Sequence, residues 1–330
     1  MRSYTIFIAW NQISRRSEEF SKQILAEYIN LGRVEGSLIT RSIRLISNFI
    51  ESYFLFLEKK PNIIFTFHAH PFITLVAIIY KQFFNCKVIA DLHSAAYLDY
   101  YQFPLKFINR WIWERTDILL IHNKMACTLF NQKIPGFSKK LFILEDPIPE
   151  ISNIPKNNVN NSDSLNGVLI NRFSKDEPID IFLRKIKDLE GVNIFITGDF
   201  TKTEISQEKL KGPNYELTGF LSDDDYWELL SNANFIIALT TREYTLLSAG
   251  YEAIALEKPL IISGTNTIKN YFNDNVIFFD IFNDDIQKLV NKVRADIDSL
   301  NKKMKKLKIS KTEDWNLKVS MLQKKIDVMS

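Results

Sequence analysis

Short runs of β-branched and aromatic residues alternate with longer segments of helical period; the alternation stops once near the middle of the chain and then restarts. The first set of runs lies at 4–10, 36–40, 62–67, 87–91, 117–122 and 141–145. Runs this apolar, separated by helical stretches, are the pattern of βα units, in which a parallel sheet is covered on both faces and its strands need no polar side. The interruption at 151–166, ISNIPKNNVNNSDSLN, is rich in Asn and Ser, holds a proline and has no apolar period, as a linker does. Runs then resume at 167–170, 192–197, 215–217, 234–239, 259–263 and 276–280, and from about 284 the chain reads as helical and Lys-rich. The expected fold class is therefore α/β, with two Rossmann-like, doubly wound domains: 1–150, a linker at 151–166, and 167–330 with a helical C-terminal tail. The sequence does not decide whether that tail packs beside the second sheet or crosses to the first domain. With 330 residues, 46% of them hydrophobic, the chain can fill two cores.

Charge narrows the function classes. The formal net charge of +3 is nearly balanced, which gives no reason to expect a nucleic-acid binder dominated by phosphate contacts. The two cysteines, Cys86 and Cys127, have neither disulfide-framework nor metal-ligand spacing, and they fit a reducing, cytoplasmic setting. The apolar stretch at 71–84 is broken by Lys81 and Gln82 and is shorter than a bilayer span. Residues 1–10 read as a first strand, with no signal-peptide pattern.

Parallel sheets bind ligands outside the carboxyl ends of their strands, so the residues just after each run are the site candidates. In the first half these include Arg15 and Arg16, His68 and His70, Asp91 with His93, His122 with Asn123, and Glu145 with Asp146; all four histidines of the chain are among them. Arg15 and Arg16 precede a helix, where guanidinium groups and free amides suit a phosphate, and a solvated turn accounts for them equally well. His68 and His70 are either loop histidines bonded to backbone carbonyls or groups that hold an acceptor, with no carboxylate or cysteine beside them at metal spacing. His93 follows an apolar strand with Asp91 two residues before it, the arrangement of a general base beside a carboxylate, with a purely structural histidine as the alternative. In the second half, Arg172 and Lys175 sit three residues apart after the first run and can neutralise a diphosphate without a metal, and ordinary surface charge accounts for their spacing equally well. A buried strand then runs into Thr240-Thr241-Arg242-Glu243-Tyr244-Thr245 and an apolar helix holding Gly250 and Glu252. Hydroxyls, an arginine and helix amides thus gather at one strand end, as an anion site requires.

The stretch 240–272 resembles the donor segment of the GT-B glycosyltransferases, in particular the family 4-like group, glycosyl transferases group 1. In that family a strand and short loop lead to a helix bearing Glu-Ala, then Lys-Pro and an apolar strand ending in Ser; here the residues are Glu252-Ala253-Ile254-Ala255-Leu256-Glu257-Lys258-Pro259-Leu260-Ile261-Ile262-Ser263. The resemblance implies two domains facing a cleft and a nucleotide-sugar donor, with Glu252 on its ribose hydroxyls and Arg172 and Lys175 on its diphosphate. Arg242 and Thr245 join the donor side, and His93 matches the family's catalytic-site histidine. One departure is visible: the family's glutamate pair has seven intervening residues, which places the first at Tyr244, whereas this chain has Glu243, so Glu243 is the catalytic, sugar-side carboxylate expected here, with Arg242 and Thr245 beside it in a reshaped loop.

The implied activity is sugar transfer from a nucleoside diphosphate sugar to an acceptor hydroxyl, in surface polysaccharide or glycolipid assembly, with neither metal nor cofactor. An inverting course would use Asp91 or His93 as the base. The acceptor is a glycan or a lipid-linked sugar, and the aromatic-basic stretch 100–115, YYQFPLKFINRWIWER, suits either a bilayer edge or a packed core. Peripheral contact at the inner face of the cytoplasmic membrane follows from the first alternative. Two other functions share this fold: a nucleotide-sugar epimerase and a non-catalytic GT-B-like partner subunit.

Overall fold

The structure, a computed structural model, describes residues 4–10, 15–32, 34, 36–93, 96–97, 105–151, 164–202 and 212–329. Two compact units emerge, one of Met1–Pro147 with Asp314–Ser330, the other of Ile148–Glu313. Each holds, among the described residues, one six-stranded sheet whose neighbouring strands run parallel. Residues 152–163 of the expected linker lie outside the described residues.

In the first unit the chain order is β1 (Thr5–Ala9), α1 (Arg15–Gln23), β2 (Glu27–Asn30), α2 (Leu38–Lys59), β3 (Ile63–His68), α3 (Pro71–Phe83), β4 (Lys87–Leu92), α4 (Leu105–Arg115), β5 (Ile118–Ile121), α5 (Lys124–Lys133) and β6 (Leu141–Ile143). The sheet order is β2-β1-β3-β4-β5-β6, so the chain reverses direction across the sheet between β1 and β3. Five of these strands fall on the expected runs. The sixth does not: 36–40 is no strand, because Ser37 caps α2 by accepting a hydrogen bond from the Thr40 amide at 3.3 Å. The strand in that place is β2, an edge strand of sequence EYIN that is half-buried along most of its length. An edge strand with one row of partners does not need an apolar run, so the segment carried no such signal.

The second unit runs β7 (Leu165–Ile170), α6 (Ile179–Ile186), β8 (Val192–Thr197), β9 (Tyr215–Gly219), α7 (Asp223–Asn232), β10 (Phe235–Ala238), α8 (Ser248–Ala255), β11 (Leu260–Ser263), α9 (Asn266–Phe272), β12 (Ile277–Phe279) and α10 (Ile286–Val328). Its order, β9-β8-β7-β10-β11-β12, is that of a nucleotide-binding doubly wound sheet, with the switch point between β7 and β10. Strands β7, β10 and β11 are central, and both faces are packed: Phe182, Phe235, Ile261 and Val290 belong to one core cluster, Val168, Ile236, Ile254 and Phe272 to the other.

The domain limits read from the sequence need one correction. The last stretch of α10, from Asp314, groups with the first unit. Trp315, Val319, Leu322 and Ile326 recur at helical spacing and are buried in one cluster with Phe7, Phe20 and Phe65 of the first sheet layer. Phe20 meets Phe65 and Trp315 edge-on at 5.6 and 6.1 Å, the Trp315 indole N–H donates to the Glu145 carbonyl at 3.1 Å, and Lys318 pairs with Glu145 at 2.7 Å. Among the described residues no helix is long and apolar enough to cross a membrane.

Candidate active site

The switch point of the second sheet positions the loops that follow β7 and β10. After β7, Asn171 Oδ1 accepts from the Phe173 amide at 2.6 Å, and the Glu177 carboxylate accepts from the amides of Arg172 at 2.8 Å and Ser174 at 3.1 Å. Phe173, at φ 55°, buries its ring in the core. With the backbone held this way, Arg172 and Lys175 stand exposed, and neither side chain has an ion-pair partner among the described residues. Gly198, just past β8, closes on this loop at φ 113°; a Cβ there would lie 2.0 Å from the Asn171 carbonyl oxygen.

The loop after β10 is tied to the first. Thr240 Oγ1 donates to Asp176 Oδ2 at 2.7 Å, the Thr241 amide donates to the Asp176 carbonyl at 2.7 Å, and the Thr240 amide donates to Ser263 Oγ at 2.9 Å. Thr240 Oγ1 also accepts from the Arg242 amide at 3.0 Å. The carboxyl ends of β7, β10 and β11 are thus stitched into one edge. Beside it opens a cavity of about 320 Å3 lined by Thr240, Thr241, Ser263, Thr265, Lys269 and Asp280, among others. Asp176 and Lys269 were not singled out from sequence, since one lies six residues past β7 and the other inside α9 rather than directly after a strand.

Glu243 is placed differently from the expectation that it acts on the sugar. Its two oxygens accept from the amides of Asn266 at 3.1 Å and Thr267 at 3.0 Å, at the start of α9. The carboxylate is committed to capping that helix, where the amides are otherwise unpaired and the dipole favours negative charge. Tyr244, at φ 62°, gives its amide to Thr267 Oγ1 at 3.0 Å and completes the junction. Arg242 and Thr245 are half-buried beside it. Glu252, inside α8, is buried, and Tyr226 donates its hydroxyl to Glu252 Oε2 at 2.6 Å. Gly250, two residues earlier, has a packing reason: a Cβ there would lie 2.7 Å from the Phe272 ring of α9.

In the first unit, Asp91 near the end of β4 is fully buried, with His122 Nε2 at 3.0 Å from one oxygen and His93 Nε2 at 3.4 Å from the other. The imidazoles stand edge to face at 4.7 Å between centroids, and His93 lies against Phe67 at 3.7 Å. The ligating atoms of all three lie within 4.8 Å of one another, the composition of a two-histidine, one-carboxylate metal set. The 3.0 Å contact suits a hydrogen bond between His122 and the carboxylate, with His93 standing beside it as a charge neighbour at 3.4 Å. Asp91 is therefore a positioning residue: without exposure it cannot meet an acceptor hydroxyl directly, and the sequence reading of Asp91 as the base is corrected on that ground. His93 and His122 keep 22% and 17% exposure.

His68 is likewise withdrawn from acceptor contact. It is wholly buried, its Nδ1 2.7 Å from Thr74 Oγ1 and its Nε2 3.2 Å from Asn109 Oδ1 and 3.3 Å from Trp113 Nε1. Burial pushes its pKa down from 6.5 to about 3. The folded chain takes no proton there until pH nears 3, whereas the unfolded chain takes one below about 6.5, so protons favour unfolding across that window. The contribution is whole above 6.5 and falls as pH drops, by up to about 1.4 kcal/mol per pH unit. His68→Gln should therefore flatten the loss of urea stability between pH 6.5 and 4.5; an unchanged slope would count against the buried neutral imidazole. His70 precedes α3 without capping it, its ring stacked on Phe72 at 5.2 Å, and burial lowers its pKa. Its Nδ1 is buried with no hydrogen-bond partner among the described residues. Arg15 and Arg16 open α1; their side chains lie outside the described residues.

Residues 150–317 match the family described as glycosyl transferases group 1. The chain belongs to that family. The match covers the whole β7–β12 sheet with its strand-end loops. Among solved structures, this group 1 glycosyltransferase is similar to sucrose-phosphate synthase from Thermosynechococcus elongatus, at 12% identity and a TM-score of 0.72 over 99% of this chain and 100% of that one. It is similar also to HepE of Anabaena in complex with UDP and glucose, at 10% identity and a TM-score of 0.68 over 98% and 100% of the two chains. A glycosyltransferase from Rickettsia africae gives 12% identity and a TM-score of 0.69 over 100% of both chains. At these identities the likeness is one of fold, the GT-B architecture of two parallel sheets with flanking helices. No curated protein matches by sequence.

Proposed function

We propose that this glycosyltransferase moves a sugar from a nucleoside diphosphate sugar to an acceptor hydroxyl in the assembly of a surface polysaccharide or glycolipid. The observation that carries the reading is the pair Arg172 and Lys175, exposed and, among the described residues, without ion-pair partners at the switch point of the second sheet, where a doubly wound fold receives its ligand. HepE, solved with UDP and with UDP-glucose, lends support from the same fold.

In the proposed reaction the acceptor oxygen bonds to the anomeric carbon as the bond from that carbon to the diphosphate oxygen breaks. The nucleoside diphosphate departs with the electron pair. Arg172 and Lys175 neutralise the charge it gains, so the step is given to side-chain cations and to neither metal nor cofactor. Buried Glu252, at the second turn of α8, holds the ribose hydroxyls, with Tyr226 fixing its carboxylate. The acceptor proton goes to His93, oriented by Asp91, if the anomeric centre inverts, and to the departing phosphate if it is retained. Such a chain works in the cytoplasm, at the membrane face where lipid-linked acceptors are built.

A panel of nucleotide sugars scored by thermal shift tests the reading, because a ligand that binds only the folded state adds about 2.7 kcal/mol at a hundredfold excess over its Kd. One donor should raise the melting temperature and release its nucleoside diphosphate when acceptor is added. Release of an epimerised sugar without acceptor would assign an epimerase; binding with no turnover until a second chain is added would assign a partner subunit.

A further inference from the structure

Asp91, His93 and His122 come from the carboxyl ends of β4 and β5, two interior strands of the first sheet. Side chains two residues apart on a strand share a face, which brings Asp91 and His93 together. His93 lies one residue past β4, yet its amide still donates to the His68 carbonyl of β3 at 3.4 Å, so it continues the strand. The register that sets Leu92 opposite Ile121 makes His122 the cross-strand neighbour of His93. Beyond His122 the chain turns at once into α5, where Asn123 Oδ1 accepts from the Ala126 amide at 2.7 Å. The sheet and a capped helix thus hold the backbone of all three residues in place, as a preformed site requires.

The donor set selects the ligand. Two imidazole nitrogens and one carboxylate are a poor match for Mg2+ or Ca2+, which take oxygen ligands. They are a good match for zinc, which accepts two histidines and a carboxylate and keeps a fourth place open. Donors about 2.0–2.2 Å from a tetrahedral ion stand about 3.3–3.6 Å from one another. Here the two Nε2 atoms lie 3.0 and 3.4 Å from the Asp91 oxygens, and the three ligating atoms all fall within 4.8 Å of one another. Small rotations of the partly exposed imidazoles close the remaining gap, and their exposed edges give an ion its way in. Asp91 has no exposure at all. A carboxylate buried that deeply calls for positive charge beside it, which a dication shared with two neutral imidazoles supplies.

We propose that Asp91, His93 and His122 form a zinc site on the first unit, and that zinc bound there withholds His93 from proton transfer. The second half rests on the role of His93 given above. Nε2 is the ring nitrogen turned to Asp91. A neutral ring that keeps its proton on Nε2 accepts at Nδ1; one that gives Nε2 to a metal carries its proton on Nδ1 and accepts nowhere. Arg172 and Lys175 belong to the other unit, so their part in neutralising the departing diphosphate is untouched.

Titration of the full chain, freed of metal by chelation and dialysis, tests this with Zn2+ by calorimetry and with Co2+ by visible absorption. One equivalent should bind, cobalt should show the intense bands of a four- or five-coordinate site, and zinc should raise the melting temperature. Asp91→Asn and His122→Gln should each weaken zinc binding by more than about a hundredfold, since even a group behind a metal ligand costs about ten- to a hundredfold. Were Asp91→Asn misfolded by circular dichroism, His122→Gln, at a partly exposed position, decides alone. Three results would overturn the site: no stoichiometric binding, variants that bind as the parent does, or a thiolate-to-cobalt band that puts the ion on Cys86 or Cys127. In a transfer assay, zinc should inhibit at the concentration that fills the site, and His122→Gln should need about a hundredfold more. Titration needs no sugar, so the site can fail while the sugar chemistry stands. A filled site with transfer undiminished would overturn the withholding of His93 and leave the donor chemistry in place.

Discussion

Arg172→Ala lowers kcat/KM for sugar transfer by about a hundred- to a thousandfold, with little change in melting temperature. The size follows from removing one fixed charge at the point where negative charge develops in the transition state. The unchanged stability follows from the structure, in which the loop is held by Arg172 through its backbone amide and by Glu177, while the guanidinium is exposed and has no ion-pair partner among the described residues. Arg172→Lys recovers part of the rate, because a point charge replaces a planar fork. Lys175→Ala has an effect in the same direction. Full transfer activity in purified Arg172→Ala, with the parent's melting temperature, would remove the donor diphosphate from this loop.

Gly198→Ala unfolds the second unit at markedly lower urea, with a loss of about 3–5 kcal/mol. Two costs combine: a backbone at φ 113°, which side chains other than glycine rarely adopt, and a methyl carbon 2.0 Å from the Asn171 carbonyl. Gly136 separates them, because its φ of 103° is equally unfavourable and nothing lies within 4 Å of its would-be Cβ. Gly136→Ala should show the backbone cost alone, about 1–3 kcal/mol. Because the methyl group pushes on the residue before Arg172, Gly198→Ala also loses transfer activity at temperatures where it remains folded. Equal stability losses at the two glycines would show that the loop yields freely and that Gly198 does not hold it.

The central strands were readable because burial on both faces leaves a run such as Phe235–Ala238 no polar position at all. Strand β2 was not, since its pairing with β1 is supplied by backbone groups and its side chains face partly to water. The candidate site divides along a similar line. Arg172 and Lys175 depend only on following β7 and on being exposed, and their position along the chain reveals both. Glu243 depends on where its side chain turns, and that is set by the backbone of Tyr244 and by amides 23 and 24 residues later in α9. His122 meets Asp91 because β4 and β5 are neighbours in a register that sets Leu92 opposite Ile121. Strand adjacency of this kind is not written in either segment. Gly250 inside α8 is explained by Phe272 of α9, whose ring approaches the helix there.

The packing of α10 also orders the assembly of the chain in time. Residues 314–326, which supply Trp315, Val319, Leu322 and Ile326 to the core around Phe7 and Phe65, are synthesised only after the whole of the second unit. The unit that is made first is the one finished last. While it waits it exposes the aromatic surface of Phe20 and Phe65, so the nascent chain carries an unfinished apolar face for the length of another domain's synthesis. Nor can one cut in the chain yield both units intact, since a break near 148 leaves the first sheet without the helix that covers it.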